Sequence, residues 1–354
     1  MPINHWTLSV VAWFLMISTA FAADVSSKEM GAPDPLFQSH EILDVRITAP
    51  LSTLMSKRPI DEELPGTLQF VNAAGEPVEL DIKLRTRGKF RREKDICRFP
   101  PIRINFVKSQ TKGTVFHKQD KVKLVTHCQN SSKYADALLR EYVAYRILNV
   151  LTDISFQVRL LRITYVNSEK SNRDDVHYGF IIEHKDRLAK RIGKSVLDIP
   201  STNARSLDPE YANTISMYQY LIGNTDFSSI RSVKGEMCCH NHVLFGNEGE
   251  AVWSVPYDFD QAGLVEAPHA GPNPRFKLRD VRQRLYRGRC IHNDYINASI
   301  ARYQDRREEV MRVVGELEIA RDRSIKSMRR YIDKFYKTLA SERRVNSLFI
   351  KGCI

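Results

Sequence analysis

The chain has 354 residues, of which 42% are hydrophobic, and its 54 Lys and Arg outnumber its 42 Asp and Glu, giving a formal net charge of +12. This length suits one bilobal domain or two domains, and the apolar content excludes wholesale disorder. The basic balance favours acidic partners such as nucleotides, anionic surface polymers or acidic proteins. The sequence contains no nucleic-acid-binding motif, so we do not expect a DNA or RNA partner, and we expect a monomer.

The first 22 residues contain no charged side chain and include a short apolar run that ends in Ala20-Phe21-Ala22. Small residues in that pattern predict a secretory signal peptide over residues 1–22, cleaved before Ala23. The alternative is an uncleaved anchor, although the run is shorter than the roughly 20 residues that span a bilayer. Residues 23–40, which contain Ser, Gly, Asp and Pro without a regular apolar pattern, predict a mobile leader. We therefore expect an exported, periplasmic or extracellular protein.

The chain contains six cysteines, which are Cys97, Cys128, Cys238, Cys239, Cys290 and Cys353. An even number in an exported chain predicts disulfides. Cys97 and Cys128 bracket one predicted sheet segment and form the preferred pair. Adjacent cysteines rarely bond each other, so we expect Cys238 and Cys239 each to reach Cys290 or Cys353. A zinc site over residues 238–242, which hold two Cys and two His, is the alternative.

The predicted elements change in character along the chain. Residues 41–125 alternate between polar and apolar positions and predict strands, including a hairpin over residues 67–85. Residues 135–151 have apolar positions at helical spacing. Residues 184–354 are mostly helical. This order predicts an α+β, bilobal protein-kinase-like fold, with an antiparallel sheet-rich N-lobe over residues 41–183 and a mainly helical C-lobe over the remainder.

Carboxylates and amides occur where predicted core elements of the second half end. Asn224 and Asp226 follow an apolar helix, Asn241 precedes a short strand, and Asp258 and Asp260 end a second strand. Metal-assisted phosphoryl transfer needs such residues, because one Asp orients the nucleophile while an Asp and an Asn hold magnesium. The alternatives are turn caps, surface carboxylates or a calcium site.

Five short segments, taken in order, resemble the CotH kinase-like family of exported atypical kinases of the spore-coat type. They are Arg87-Gly88 and the segments over residues 138–145, 178–183, 241–245 and 256–260. The likeness covers about half of the chain. The segment Asn224-Thr225-Asp226 is also similar to the catalytic loop of secreted casein-kinase-like proteins.

The resemblance implies a set of catalytic and metal-binding roles. Asp226 is expected to be the catalytic carboxylate that orients the acceptor hydroxyl, with Asn224 in the same loop. Asn241 and Asp258 are expected to hold Mg²⁺ or Mn²⁺. Asp260 is the alternative or second metal carboxylate.

The resemblance also implies how ATP is bound. Glu141 is expected to pair with a lysine of the sheet and to hold that lysine against the phosphates. Lys123 is the preferred lysine, and Lys121, two residues earlier on the same face, is its rival. Glu183 is expected at the hinge between the lobes, where backbone groups bind adenine.

Two features depart from the usual kinase pattern. Asp226 and Asn241 are 15 residues apart, whereas the familiar catalytic loop separates them by about five. No glycine-rich loop is present; the basic turn at Arg87–Arg92 either supplies charge in its place or is an ordinary exposed turn. We therefore expect a kinase that phosphorylates Ser or Thr of a protein. The alternatives are a non-catalytic, kinase-shaped module that binds an anionic surface polymer or partner protein, and a nucleotidyl transferase.

Overall fold

The computed structural model describes Met1 and residues 30–171, 174–317 and 319–354. The predicted signal peptide, apart from Met1, and residues 23–29 of the predicted leader lie outside the described residues. The strands are β1 (Leu43–Ala49), β2 (Leu64–Val71), β3 (Pro77–Thr86), β4 (Ile102–Phe106), β5 (Lys121–Val125), β6 (Val158–Asn167), β7 (Asp175–Ile182), β8 (Ser195–Val196), β9 (His242–Gly246) and β10 (Trp253–Pro256). The helices are α1 (Leu51–Lys57), α2 (Lys108–Thr111), α3 (Ser132–Leu151), α4 (Lys185–Arg191), α5 (Pro209–Ile222), α6 (Ile296–Asp305), α7 (Arg307–Gly315), α8 (Asp322–Leu339) and α9 (Glu342–Val345).

Seven strands form a closed barrel in the order β1-β2-β3-β4-β5-β7-β6. Neighbouring strands are antiparallel except β1 and β6, which run parallel with Leu43 opposite Leu161 and Ala49 opposite Asn167. This parallel pairing closes the sheet on itself and removes its edges. The prediction of a bilobal protein-kinase-like fold with an antiparallel sheet-rich N-lobe and a mainly helical C-lobe is therefore wrong, although the chain does mix strands and helices.

The hairpin of β2 and β3 follows from local sequence. The Asn72 side chain accepts hydrogen bonds from the amides of Ala74 and Glu76, at 2.9 Å each, and Gly75 adopts a φ of 81° that favours glycine. Alternate residues of the barrel strands, such as Val45 and Ile47 in β1, point into the apolar interior. The predicted hairpin is confirmed.

Helix α3 joins the barrel to the helices of the second half. Leu148 of α3, Phe180 of β7, Tyr218 of α5 and Phe335 of α8 belong to one core of buried side chains. Side chains on the outer face of β6 and β7 thus pack in the same hydrophobic core as α3, α5 and α8. This shared core is a second reason why two separate lobes do not form.

Part of the segment predicted as a leader packs against the barrel and α4. Arg187 of α4 donates from Nε to Asp34 at 2.6 Å, and Gln119 donates to the same carboxylate at 3.2 Å. Leu36 and Phe37 are buried. The described end of the segment is therefore part of the folded core.

Three disulfides are present. Cys97 bonds Cys128, which confirms the preferred pair. The structure bonds Cys238 to Cys239 and Cys290 to Cys353, so the expectation that the adjacent cysteines reach the other two is wrong. The sequence argument rested on how rarely neighbours pair, and here the loop brings the two sulfur atoms together. None of the described helices combines the length and hydropathy needed to cross a bilayer.

Candidate active site

Helix α5 fixes the loop that carries Asp226. The helix begins where Asp208 accepts a hydrogen bond from the amide of Tyr211 at 2.8 Å, and it ends at Gly223, which has a φ of 67°. The next residue, Asn224, is 1% exposed and accepts a hydrogen bond from the amide of Asp226 at 2.9 Å. Asn224 therefore shapes the loop, and its catalytic role stays a prediction.

Asp226 lies directly beside Asn241 despite their separation in sequence. The Asn241 side-chain amide donates to the Asp226 carboxylate at 3.1 Å and to the Asp226 carbonyl at 2.7 Å. His240 Nε2 lies 2.9 Å from the other carboxylate oxygen. This hydrogen bond raises the pKa of His240. The insertion between residues 226 and 241 thus forms a loop that returns to its starting point.

Strand β10 brings Asp258 to the same place. The amide of Tyr257 donates to the Asn241 carbonyl at 3.0 Å. Tyr257 therefore lies opposite Asn241, and Asp258 is the next residue along the chain. Asp258 has a φ of 63°, and its amide donates to the Tyr145 hydroxyl at 2.8 Å. Burial, reinforced by Asp260, raises the pKa of Asp258 to about 6, while Arg91, Arg87 and Lys123 oppose the shift.

Lys123 and Arg87 place positive charge opposite Asp258. Lys123 Nζ lies 4.6 Å from the centre of the Tyr257 ring. Burial and then Arg87 lower the pKa of Lys123 to about 7, against the pull of Asp258. Burial also lowers the pKa of Arg87, again opposed by Asp258. Lys121 is exposed, so Lys123 is the strand lysine that lies near the carboxylates.

A second group of charges lies deeper, where Glu141 of α3 meets Arg91. The Glu141 carboxylate is 3.4 Å from Arg91 Nη1 and 2% exposed. The expected pairing of Glu141 with a lysine of the sheet is therefore wrong: an arginine of the turn after β3 occupies that position. Burial raises the pKa of Glu141 to about 8, and the charge of Arg91 opposes the rise.

Asp260 belongs to this deeper group. Its carboxylate lies 3.8 Å from Arg91 and 3.0 Å from His269 Nε2. Burial disfavours the charged carboxylate, but the hydrogen bond from His269 and the charge of Arg91 lower its pKa overall. Asp260 is thus satisfied by protein groups, whereas the carboxylate of Asp258 accepts no hydrogen bond from the described residues.

Glu183 lies one residue beyond Ile182, which pairs with Lys123 across β5 and β7. Its side chain is buried and pairs with Arg191 at 2.9 Å, and its amide donates to Gln157 at 2.9 Å. These contacts occupy both its carboxylate and its amide with the protein itself. Its role in binding adenine remains a prediction.

The resemblance implies a divalent metal ion, and the residues near Asp258 supply oxygen ligands for one. The described residues include no group of three or more His, Cys, Asp or Glu side chains placed to hold an ion. The zinc alternative requires free thiolates at Cys238 and Cys239, whereas the structure bonds these two cysteines to each other. Magnesium needs fewer protein ligands, because it is usually bound by one or two carboxylates together with substrate phosphates and water. Asp258, with the side-chain oxygen of Asn241, fits that requirement.

Sequence reasoning missed His240, His269 and Tyr145, which contact Asp226, Asp260 and Asp258 respectively. His240 adjoins Asn241, and the sequence indicates a role for it only within the zinc alternative. His269 lies in an irregular segment that offers no periodic signal. Arg91 was noted only as a source of charge. Its proximity to Glu141 depends on the fold of the turn, which no local pattern gives.

Comparison of the chain with protein-family models and with curated proteins found no match. The resemblance to the CotH kinase-like family therefore rests on the five sequence segments alone.

Proposed function

We propose that the chain is an exported kinase of the CotH-like kind, which transfers a phosphoryl group from ATP to a Ser or Thr hydroxyl of a protein. The observation that carries the proposal is the meeting of Asp226, Asn241 and Asp258 beside Lys123 and Arg87. Phosphoryl transfer needs carboxylates that hold a metal ion and orient the nucleophile, and it needs positively charged side chains that bind the phosphates. The barrel excludes the bilobal kinase fold, so the proposal concerns the chemistry of the site.

Each residue has a role that its contacts support. Asp226, held by His240 and Asn241, accepts the proton of the acceptor hydroxyl. The acceptor oxygen bonds to the terminal phosphorus of ATP while the bond from that phosphorus to ADP, the leaving group, breaks. Lys123 and Arg87 bind the phosphates. Asp258 and Asn241 would hold Mg²⁺ or Mn²⁺, which would neutralise the charge of the phosphates. Arg91 keeps Glu141 and Asp260 in place behind these groups.

Export is the second part of the proposal. Three disulfides fit an oxidising compartment. Residues 1–22 have the pattern of a signal peptide. We therefore propose a periplasmic or extracellular location.

One observation favours a second candidate, a non-catalytic module that binds an anionic polymer or a partner protein. Arg91 pairs with Glu141 and Asp260, and His269 hydrogen-bonds Asp260. A site whose charges satisfy each other needs no ligand to be stable, and the chain lacks a glycine-rich loop over the phosphates.

The test is transfer of the terminal phosphate of labelled ATP, with Mg²⁺ or Mn²⁺, to the protein itself and to a Ser- and Thr-containing protein acceptor. Asp258→Asn is expected to abolish metal-dependent nucleotide binding. Asp226→Asn is expected to bind nucleotide normally and to lose turnover. Intact-mass analysis distinguishes an added phosphoryl group from an added nucleotidyl group.

Turnover that survives both substitutions would reject the proposed mechanism. Absence of nucleotide binding by the unaltered protein would favour the binding module.

A further inference from the structure

A cavity of about 420 Å³ lies away from the candidate active site, between the C-terminal end of α5, the segment over residues 282–284, and helices α8 and α9. Tyr220, Tyr331 and Thr338 are buried and line it. Its size falls within the usual range of small-molecule pockets. We call it the basic pocket because of its charged lining.

Arg284 is held rigidly in the basic pocket. Its guanidinium donates to the carbonyls of Tyr220 at 2.9 Å, Leu221 at 2.9 Å and Tyr331 at 2.7 Å, and stacks 3.7 Å from the centre of the Tyr331 ring. These bonds leave Nη1 without a partner among the described residues. Arg284 therefore contributes a fixed positive charge and a donor group, and it has little conformational freedom left to lose when a ligand binds.

Lys334, Lys337 and Arg344 are exposed residues that line the basic pocket, and they form no ion pair with the described residues. Lys334 and Lys337 are three residues apart on α8 and share a face. Arg282 adds a further cation, which Glu266 partly balances; Glu266 also pairs with Arg140 at 2.8 Å. No Asp or Glu is among the described residues that line the pocket.

The basic pocket thus gathers five cations around one small volume without a carboxylate in its lining. Like charges this close repel each other, and a bound anion relieves that repulsion. One carboxylate would engage one or two of these groups. A ligand with several phosphate charges matches the whole set, since arginine binds phosphate as a fork and lysine as a point charge.

We propose that the basic pocket is a binding site for a small polyanion of the pyrophosphate or polyphosphate class, separate from the site for nucleotide. Gly223 supports a connection between the two regions. A Cβ atom there would meet the Tyr331 hydroxyl, so the pocket wall packs against the residue that begins the Asp226 loop. The proposal does not depend on the chain being a kinase.

The test is calorimetric titration of the whole protein with inorganic pyrophosphate, in low salt and without divalent cations. Lys334→Gln combined with Lys337→Gln is expected to weaken binding at least about tenfold. The matched control removes two exposed lysines far from the pocket in sequence, one in α1 and one in β3, by Lys57→Gln and Lys83→Gln, and is expected to stay within about twofold of the unaltered protein. All four lysines are exposed, so both variants are expected to fold.

A third variant, Lys123→Met, separates the basic pocket from the candidate active site and is expected to keep its affinity for pyrophosphate. The proposal is overturned if the unaltered protein does not bind pyrophosphate, or if Lys123→Met loses binding while the pocket variant keeps it. Equal weakening in the pocket variant and in the control with Lys57 and Lys83 replaced would also overturn it, because the loss would then reflect net charge alone.

Discussion

The candidate active site and the basic pocket both gather cations, but they balance them differently. In the active site, Arg91 faces Glu141 and Asp260, while Arg87 and Lys123 face Asp258. In the basic pocket, Lys334, Lys337 and Arg344 face no carboxylate of the described chain. The first region has cations and carboxylates in contact and partly buried. The second has three exposed cations without a carboxylate partner among the described residues, beside the half-buried Arg282 and Arg284.

Paired and unpaired cations bind anions in different ways. A balanced group can hold a metal ion and phosphates together, because its carboxylates attract the metal while its cations attract the phosphates. An unbalanced group binds an anion directly. Burial also makes the balanced group depend on its internal pairs, whereas the exposed group depends on solvent and salt.

The largest expected effect comes from breaking the buried pair of the active site. Above pH 8, where the Glu141 carboxylate is charged, Arg91→Leu leaves that carboxylate buried without its partner and is expected to lower the free energy of unfolding by about 3–5 kcal/mol. Lys337→Gln in the basic pocket is expected to change it by less than about 0.5 kcal/mol. Urea unfolding of both variants measures the contrast. Equal, small losses would show that the Arg91–Glu141 pair does not support the fold.

The pH dependence of stability sharpens the same contrast. Burial raises the pKa of Glu141 to about 8, above its unfolded value of 4.5. The folded state therefore binds more protons, so this contribution is complete below pH 4.5 and is lost as pH rises through 8. Glu141→Gln removes that loss. Its free energy of unfolding relative to that of the unaltered protein is therefore expected to rise by about 2–3 kcal/mol from pH 5.5 to pH 8.5.

The basic-pocket variant with both lysines replaced is the control for the pH measurement. Its difference in stability from the unaltered protein is expected to be constant over this range, because the substitutions leave Glu141 and its partner Arg91 unchanged. A pH-independent difference for Glu141→Gln would contradict the account of its burial.

The two lysines of β5 offer a matched test of nucleotide binding. Lys123→Met is expected to weaken binding of ATP with Mg²⁺ about tenfold, since it removes a cation beside Asp258. Lys121→Met, on the same strand face but exposed, is expected to leave the affinity unchanged. Isothermal titration with each variant measures both values. A larger loss with Lys121→Met would assign the phosphates to the rival lysine.

The smallest expected effect is in the salt dependence. Raising NaCl from 50 to 200 mM is expected to weaken pyrophosphate at the basic pocket by roughly a few-fold, because its cations are exposed to screening. Binding of nucleotide at the active site is expected to change less, because its charges are partly buried and already paired. Parallel titrations at the two salt concentrations test this order. A larger effect of salt on nucleotide binding than on pyrophosphate binding would contradict the difference in exposure between the two sites.

Local signals in the sequence predicted a substantial part of this structure. The alternating polar and apolar positions over residues 67–85 predicted the hairpin of β2 and β3, and in the structure Asn72 and Gly75 form its turn. Cys97 and Cys128 were paired because both lie next to one sheet segment. The apolar helix before Asn224 placed Asp226 in a loop, as observed. Each of these features depends on residues that are close in the chain or in one sheet.

The features that sequence reasoning missed depend on distant residues. Closure of the barrel requires Leu43 to meet Leu161, which no local pattern shows. The partner of Glu141 is Arg91, brought there by the fold of a basic turn that could equally have been exposed. The basic pocket joins α5 to α8 and α9, and its lysines have the sequence pattern of an ordinary solvated helix face.

The most direct test of the central claim is thermal unfolding of the unaltered protein and of Asp258→Asn, each with ATP alone and with ATP plus Mg²⁺. A ligand at 100 times its dissociation constant is expected to add about 2.7 kcal/mol of stability. The account predicts such a gain for the unaltered protein only when ATP and Mg²⁺ are both present, and its loss in Asp258→Asn. No stabilisation of the unaltered protein at millimolar nucleotide, or the same stabilisation in Asp258→Asn, would contradict it.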